Sequence, residues 1–232
     1  MEPCCAPTAI ASSPELANSL YDAVRRGCDA LDFAVTDAQQ EALLAYLELL
    51  VKWGSAYNLT AIRDPELMIP RHLLDSLVVA PLLWGEVIAD VGTGAGLPGV
   101  PLALMFPDRE FHLLDSNGKK TRFLFQVKTA LGLDNMTVHH HRVETFRAER
   151  PFDAVLSRAF ASLRDMITGC SHLVSPEGRF LAMKGAYPEA ELGAIDDLCD
   201  VVAVHELQVP GLAEQRHLVE LTLRPGTGRT QS

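Results

Sequence analysis

A glycine-rich segment at residues 90–99, Asp-Val-Gly-Thr-Gly-Ala-Gly-Leu-Pro-Gly, carries the clearest chemical signal in the chain. It follows a short apolar run at 87–91 and precedes an apolar stretch, which predicts a turn from a strand into a helix. Glycines allow the backbone to turn tightly and to approach a ligand closely. Open α/β sheets bind nucleotides at this kind of turn, so we expect a nucleotide-like cofactor here.

Two cofactors fit this loop. Residues 94–99 match G-x-G-x-x-G, which places the pyrophosphate of a dinucleotide at a helix N-terminus. Residues 90–96 match Asp-x-Gly-x-Gly-x-Gly, the loop of methyltransferases that use S-adenosylmethionine (SAM). SAM has a cationic amine and sulfonium, which a carboxylate at Asp90 would attract, whereas a pyrophosphate would be repelled. The pattern favours SAM, with Asp90, Gly92, Gly94 and Gly96 as cofactor-binding residues, and leaves NAD as the alternative.

Two further acids follow predicted strands. Asp115 closes the second strand, where a carboxylate can accept hydrogen bonds from ribose hydroxyls; the alternative is the N-cap of the next helix. Glu144 follows the third strand, where SAM-binding folds hold the adenine, although a surface acid fits the spacing equally well.

The segment that ends the fourth strand, Ser-Arg-Ala-Phe at 157–160, predicts where a methyl acceptor sits. It lacks the Asn/Asp-Pro-Pro-aromatic run typical of enzymes that methylate exocyclic base amines. Methylation of pyrimidine C5 needs a cysteine, and we expect Cys170 and Cys199 to lie inside helices instead. Guanine N7 already has a lone pair, so its methylation needs alignment rather than a general base.

The order of the elements predicts an α/β fold. Residues 14–85 have a helical pattern, including a capping box from Thr36 to Gln39 and a helix start at Asp64-Pro65. Beyond residue 86, short apolar runs alternate with helical stretches, which indicates a mostly parallel sheet. We predict a Rossmann-like class I SAM methyltransferase with a seven-stranded sheet that ends in an antiparallel hairpin, behind a small helical cap. The predicted strands are 87–91, 111–114, 136–138, 154–156, 180–183, 201–208 and 218–223. The predicted division is a disordered tail at 1–13, the cap at 14–85, the methyltransferase domain at 86–224 and a disordered tail at 225–232.

Composition restricts the class of protein. The 232 residues are 48% hydrophobic and carry a formal net charge of -10. No apolar run approaches the ~20 residues of a membrane span, and the N-terminus has no secretory pattern. Five scattered cysteines without a C-x-x-C pair favour a reducing, cytoplasmic compartment. Adjacent His139, His140 and His141 alternate faces of a strand, so we predict no metal site and leave their role open.

Several separated blocks make the chain resemble the RsmG (GidB) family of ribosomal RNA methyltransferases. The resemblance implies transfer of a methyl group from SAM to N7 of one guanine in a decoding-region loop of 16S rRNA. It also implies that Gly92, Leu97, Val143, Glu144 and Arg158 contact the cofactor. Asn117 and Lys120 depart slightly from the family pattern. The blocks are residues 58–62, 71–76, 90–99, 113–120, 142–144, 157–163 and 184–185.

The middle third of the chain, residues 86–158, has no net charge, while the flanking thirds are acidic. With an RNA substrate, its basic helix is better interpreted as a phosphate contact on the rim of the cofactor crevice than as a solvated surface. The predicted RNA-binding residues are Lys119, Lys120, Arg122, Lys128, Lys184 and His72. Arg158 is the candidate catalytic residue, because a planar cation could hold the target base.

The expected partner is 16S rRNA, within the small ribosomal subunit or a late precursor, bound by a monomeric enzyme. Three other functions remain open at this point: a SAM methyltransferase with another acceptor, a module that binds SAM or RNA without turnover, and an NAD oxidoreductase.

Overall fold

The structure is a computed structural model that describes residues 14–158 and 160–225. The expected tails at 1–13 and 225–232 fall outside the described residues, apart from Pro225.

The N-terminal segment is helical, as the sequence predicts. Thr36 forms the expected capping box with Gln39. Asp64, which precedes Pro65, accepts a hydrogen bond from the Glu66 N–H. Pro70 stands at the start of a π-helix rather than at the end of the preceding helix. The elements are α1 (Pro14–Ala30), α2 (Asp37–Tyr57), α3 (Pro65–Met68), the π-helix Ile69–Leu74, α4 (Asp75–Leu77) and the 3-10 turn Ala80–Leu82.

A single mixed sheet follows, with strands in the order β3-β2-β1-β4-β5-β7-β6. The five strands β1 to β5 are parallel, and β7 runs antiparallel between β5 and β6. The predicted sheet with its antiparallel hairpin is therefore confirmed. The strands are β1 (Val87–Val91), β2 (Glu110–Asp115), β3 (Met136–His140), β4 (Phe152–Ser157), β5 (Val174–Lys184), β6 (Cys199–Leu207) and β7 (Arg216–Leu223).

Helices pack on both faces of the sheet and create two hydrophobic clusters. The larger cluster joins Leu43, Leu47 and Leu50 of α2 to Ile88 and Leu113 of the central strands. The N-terminal helices and the sheet therefore share one core. The remaining helices are α5 (Gly99–Met105), α6 (Gly118–Leu131), α7 (Leu163–Cys170) and α8 (Glu189–Gly193), with a 3-10 turn at Val143–Thr145.

The connection from β3 to β4 contains that short turn and no α-helix in the described chain. On the sheet face beneath it, His112 and His139 are joined by a hydrogen bond of 2.9 Å between Nδ1 and Nε2. Phe146 packs against His139 from the connection itself. Burial and the neighbouring histidines lower the pKa of His139 to about 4, so this ring is neutral near pH 7.

The predicted placement of Cys199 in a helix is wrong, whereas Cys170 does end α7. Cys199 begins β6, because the helix that precedes it ends early, at Gly193. Burial raises the pKa of both thiols to about 12, so neither is a nucleophile near neutral pH.

The His112–His139 pair predicts a loss of stability in mild acid. The pKa of His139 is lower in the folded chain than the ordinary 6.5, so the unfolded chain takes up the proton first and falling pH favours unfolding. As the pH falls from 6.5 to 4, the unfolding free energy of the unchanged protein should decrease by about 1 to 2 kcal/mol more than that of His139→Gln. Urea titrations at several pH values measure this difference.

Two comparisons isolate the effect. Asp90 acts in the opposite direction, because its raised pKa favours the folded state in acid, and it is present in both proteins. His140→Gln makes the same substitution at the neighbouring, exposed histidine and serves as the reference for it. Identical pH profiles for His139→Gln and the unchanged protein would contradict the assignment.

Candidate active site

The glycine loop is fixed from below by Asp90. Its Oδ2 accepts hydrogen bonds from the Thr93 hydroxyl at 2.7 Å and from the Gly99 N–H at 2.8 Å. Burial raises the pKa of this carboxyl to about 6, while the two hydrogen bonds oppose the shift. Asp90 lies beneath the loop rather than in the adjoining cavities. It therefore organises the loop, whereas the sequence predicted direct contact with SAM.

The loop conformation explains why glycine is needed at Gly96. Its φ is +94°, and a Cβ there would lie 2.4 Å from Cγ2 of Val100. Gly96 therefore allows close packing of the loop on α5 and does not line the cavities described below.

A residue from the N-terminal helices also holds the loop. The hydroxyl of Tyr46, which is fully buried in α2, donates a 2.7 Å hydrogen bond to the carbonyl oxygen of Ala95. Burial raises the pKa of Tyr46, so the phenol stays a neutral donor. The sequence places Tyr46 on a helix face among leucines, where it resembles any core residue, and this role was missed.

A cavity of about 260 Å³ opens at the carboxyl ends of β1 and β2. Asp115 lies in it and accepts hydrogen bonds from the N–H groups of Gly94 and Asn117, at 2.9 and 2.8 Å. Lys120 approaches the same carboxylate at 3.7 Å. The predicted residues Gly92, Asp115, Val143 and Glu144 all line this cavity. The alternative of an N-cap at Asp115 is excluded, because Asn117 caps α6.

A second cavity of about 210 Å³ adjoins the first, since Gly92 lines both. Its walls include Gly94 and Leu97 from the loop and Arg158 from the end of β4. The two adjoining cavities thus place the Asp115 carboxylate at one end and the glycine loop at the other.

A third cavity of about 330 Å³ lies beyond Arg158 and His72, which line both it and the second cavity. Asp75, only 4% exposed, binds Arg158 through Oδ2 at 2.9 Å and Arg216 through Oδ1 at 2.7 Å. One buried carboxylate thus positions two guanidinium groups at this cavity. Arg216 comes from the last strand of the described chain, and no motif or spacing around it indicated this role.

His72 has both ring nitrogens engaged. Nδ1 lies 2.9 Å from the carbonyl oxygen of Arg71, and Nε2 lies 2.8 Å from the Thr60 hydroxyl. Because that carbonyl can only accept, Nδ1 carries the proton and Nε2 accepts from Thr60. Burial lowers the pKa of His72, so this ring is neutral.

The predicted basic residues do not form one group. Lys119 and Arg122 are exposed on α6, and Lys120 lines the first cavity. Lys184 lines the third cavity but is paired with Glu191 at 2.8 Å. The prediction that Lys128 lies on the rim is wrong, because its ammonium group donates to the carbonyl oxygen of Met136, where β3 begins. That end of the sheet is opposite the cavities.

Among the described residues, no group of three or more His, Cys, Asp and Glu side chains could hold a metal ion. His139 and His140 instead bind His112 and the carbonyl oxygen of Ser116, and His141 lines the first cavity. In the same part of the chain, no helix is both long and apolar enough to cross a membrane.

The sheet, with its cavities at the carboxyl edge, has the fold of the SAM-dependent methyltransferases. A SAM-dependent methyltransferase from Aquifex aeolicus superposes with a TM-score of 0.54 at 18% identity, covering 68% of this chain and 93% of that one. The glycopeptide N-methyltransferase MtfA, solved with SAM, superposes with a TM-score of 0.54 at 13% identity, covering 66% and 87%. Likeness at this level of identity establishes the fold.

The chain belongs to the GidB family, rRNA small subunit methyltransferase G, whose model matches residues 39–219. It is 54% identical to a ribosomal RNA small subunit methyltransferase G from Saccharophagus degradans over 84% of this chain and 87% of that one. The protein of the same description from Pseudomonas aeruginosa is also 54% identical, over 86% and 94%. The family resemblance is confirmed: this is an rRNA methyltransferase, and its cofactor is SAM rather than NAD.

Tyr46 provides a direct test of how the glycine loop is held. Tyr46→Phe leaves the Ala95 carbonyl without its donor, which should lower the unfolding free energy by about 1 to 2 kcal/mol. SAM should then bind roughly tenfold more weakly, because part of the binding free energy would be used to order the loosened loop. Calorimetric titration with SAM measures the affinity.

Tyr21→Phe is the matched control. The Tyr21 hydroxyl forms a longer, exposed hydrogen bond of 3.3 Å to Asp37, far from the loop. This variant should bind SAM normally, and equal SAM affinities for the two variants would show that Tyr46 does not support the loop.

Proposed function

We propose that the methyl acceptor is N7 of a guanine in a decoding-region loop of 16S rRNA, presented by the small ribosomal subunit or a late precursor. The observation that carries this proposal is the absence of a free general base among the described residues around the third cavity. Asp75 is held by two arginines, His72 has both nitrogens engaged, and Lys184 is paired with Glu191. An acceptor with its own lone pair needs none of them as a base.

The reaction then needs alignment and charge balance. SAM supplies a methyl group carried on a cationic sulfur. With SAM bound, N7 would form a bond to the methyl carbon as the carbon–sulfur bond breaks, and the positive charge would pass from sulfur to the purine without movement of a proton. We assign the loop residues Gly92, Gly94 and Leu97, together with Asp115, Val143 and Glu144, to holding the cofactor. Asp90 and Gly96 shape the loop.

Arg158 stands between the donor and acceptor cavities, and we assign it to contact both the cofactor and the target nucleotide. Asp75 holds Arg158 in a fixed orientation, so its planar cation is prepared before the substrate arrives. Phosphates of the RNA are assigned to Lys119, Lys120 and Arg122. This division is supported by Lys120, which lines the first cavity, and by the exposure of Lys119 and Arg122 on the same helix.

We further propose that the enzyme acts in the cytoplasm as a monomer. We treat residues 14–85 as a cap on a methyltransferase domain at 86–224. The cap contributes Tyr46 to the cofactor loop and Asp75 to the acceptor cavity.

The test is methyl transfer from labelled SAM to small ribosomal subunits from cells that lack the corresponding gene, followed by mapping of the labelled nucleotide. We expect a single guanine labelled at N7. Label at another atom or on another RNA would overturn the acceptor assignment and leave the family membership intact. Protein-free 16S rRNA, tested in parallel, should be the poorer substrate if subunit proteins present the loop.

Arg158→Ala should reduce turnover by roughly 100-fold, because both the acceptor and the methyl group lose their shared positioning residue. The variant should remain folded, since Asp75 keeps Arg216 as a partner. Single-turnover assays and thermal unfolding measure the two effects.

Arg224→Ala is the control for loss of an arginine–aspartate pair away from the cavities, because Arg224 binds Asp200 at 2.7 Å on the protein surface beside the start of β6. It should retain normal turnover. If Arg158→Ala turned over normally with ordinary SAM affinity, the role assigned to Arg158 would be wrong.

A further inference from the structure

Helix α6 differs in charge from the rest of the protein. Its sequence, Gly-Lys-Lys-Thr-Arg-Phe-Leu-Phe-Gln-Val-Lys-Thr-Ala-Leu, has four basic residues and no acidic one, in a chain of net charge -10. Lys119 and Arg122 are exposed, and no salt bridge in the described chain involves either of them. A polyanion is therefore the partner whose charge complements this helix.

An aromatic ring lies within the same exposed surface. Phe125 is 51% exposed, although a phenylalanine normally gains about 2 kcal/mol from burial. Trp84 and Tyr187 are also exposed, but Arg179 covers the first and His217 meets the edge of the second. Phe125 has no such ring contact among the described residues.

The spacing along α6 joins the basic and aromatic groups. Lys119, Arg122 and Phe125 follow at intervals of three residues, so neighbouring members lie on one side of the helix with Cβ atoms about 5 to 6 Å apart. Lys120, on the same helix, lines the cofactor cavity 3.7 Å from Asp115. Lys119 directly precedes this residue in the first turn of α6, and the exposed surface runs from there along the helix through Arg122 to the ring.

We propose that Phe125 is a stacking platform for an unpaired base of the acceptor RNA, while Arg122 and Lys119 bind the adjoining phosphates. Single-stranded RNA is recognised by this combination, because a splayed base stacks on an aromatic ring and its backbone follows a basic surface. This inference rests on the proposed function and adds a second contact outside the acceptor cavity. It assigns the ring to a nucleotide other than the one that is methylated.

Steady-state kinetics on small ribosomal subunits test the stacking. Phe125→Ala should raise the KM for the subunit by roughly 5- to 100-fold, with kcat and SAM affinity nearly unchanged. Phe125→Leu keeps an apolar side chain and a good helix former but removes the ring, so it should fail like alanine. Phe125→Trp should restore the KM.

The tryptophan variant also supplies a signal independent of activity. Phe125→Trp adds its fluorescence to the signal of Trp53 and Trp84. When short oligoadenylate is added, stacking of a base should quench this added fluorescence. The affinity for oligoadenylate should also depend less on salt in Arg122→Gln. The slope of log affinity against log salt concentration should decrease in magnitude by about 0.7, the contribution of one phosphate on a single strand.

Val202→Ala is the matched control, because Val202 is similarly exposed, at 47%, but lies on β6, a strand without Lys or Arg. It should leave the KM unchanged. A normal KM for Phe125→Leu would indicate an apolar protein contact and overturn the stacking, as would Phe125→Trp fluorescence that oligoadenylate leaves unquenched. Absence of methyl transfer by the unchanged enzyme would instead count against the proposed function.

Discussion

The buried carboxylate of Asp75 holds together the parts of the structure that have to meet at the acceptor cavity. It lies at the start of α4 and binds one arginine from the end of β4 and one from the start of β7. An ion almost removed from water is stabilised only when it is well paired, so the two arginines and the carboxylate fix one another. The N-terminal helices, the middle of the sheet and its antiparallel hairpin are thereby kept in a single arrangement.

Much of the fold could be predicted because the apolar runs and helix caps within single segments agree with the way those segments pack in the structure. The apolar run at 87–91 became β1 with the expected bounds, and Thr36 and Asp64 capped the helices as predicted. α2 continues past Gly54 to Tyr57 and is capped by Asn58, which adopts the left-handed conformation that glycine more commonly supplies at a helix end. β5 begins at Val174 rather than near residue 180, because a register shift accommodates the Ser-Pro-Glu-Gly segment.

The site was predictable where its residues follow strands in a recognisable motif, and unpredictable where distant segments converge. Gly92, Asp115 and Glu144 line the expected cavity because parallel strands end at one edge of the sheet. Asp90 has the right position but faces the loop, since two nearby hydrogen-bond donors hold its carboxylate. Tyr46 and Arg216 depend on packing between segments far apart in sequence, which spacing within one segment does not reveal.

Arg216 is separated from Asp75 by 141 residues, and it belongs to the final strand of the chain. A growing polypeptide that has completed the glycine loop and the central strands still lacks this arginine. The acceptor cavity is therefore finished only when the last strand has paired with β5, the kind of non-local contact that forms slowly. Until that pairing is made, a chain that already holds the glycine loop has an acceptor cavity without one of the two arginines that Asp75 binds.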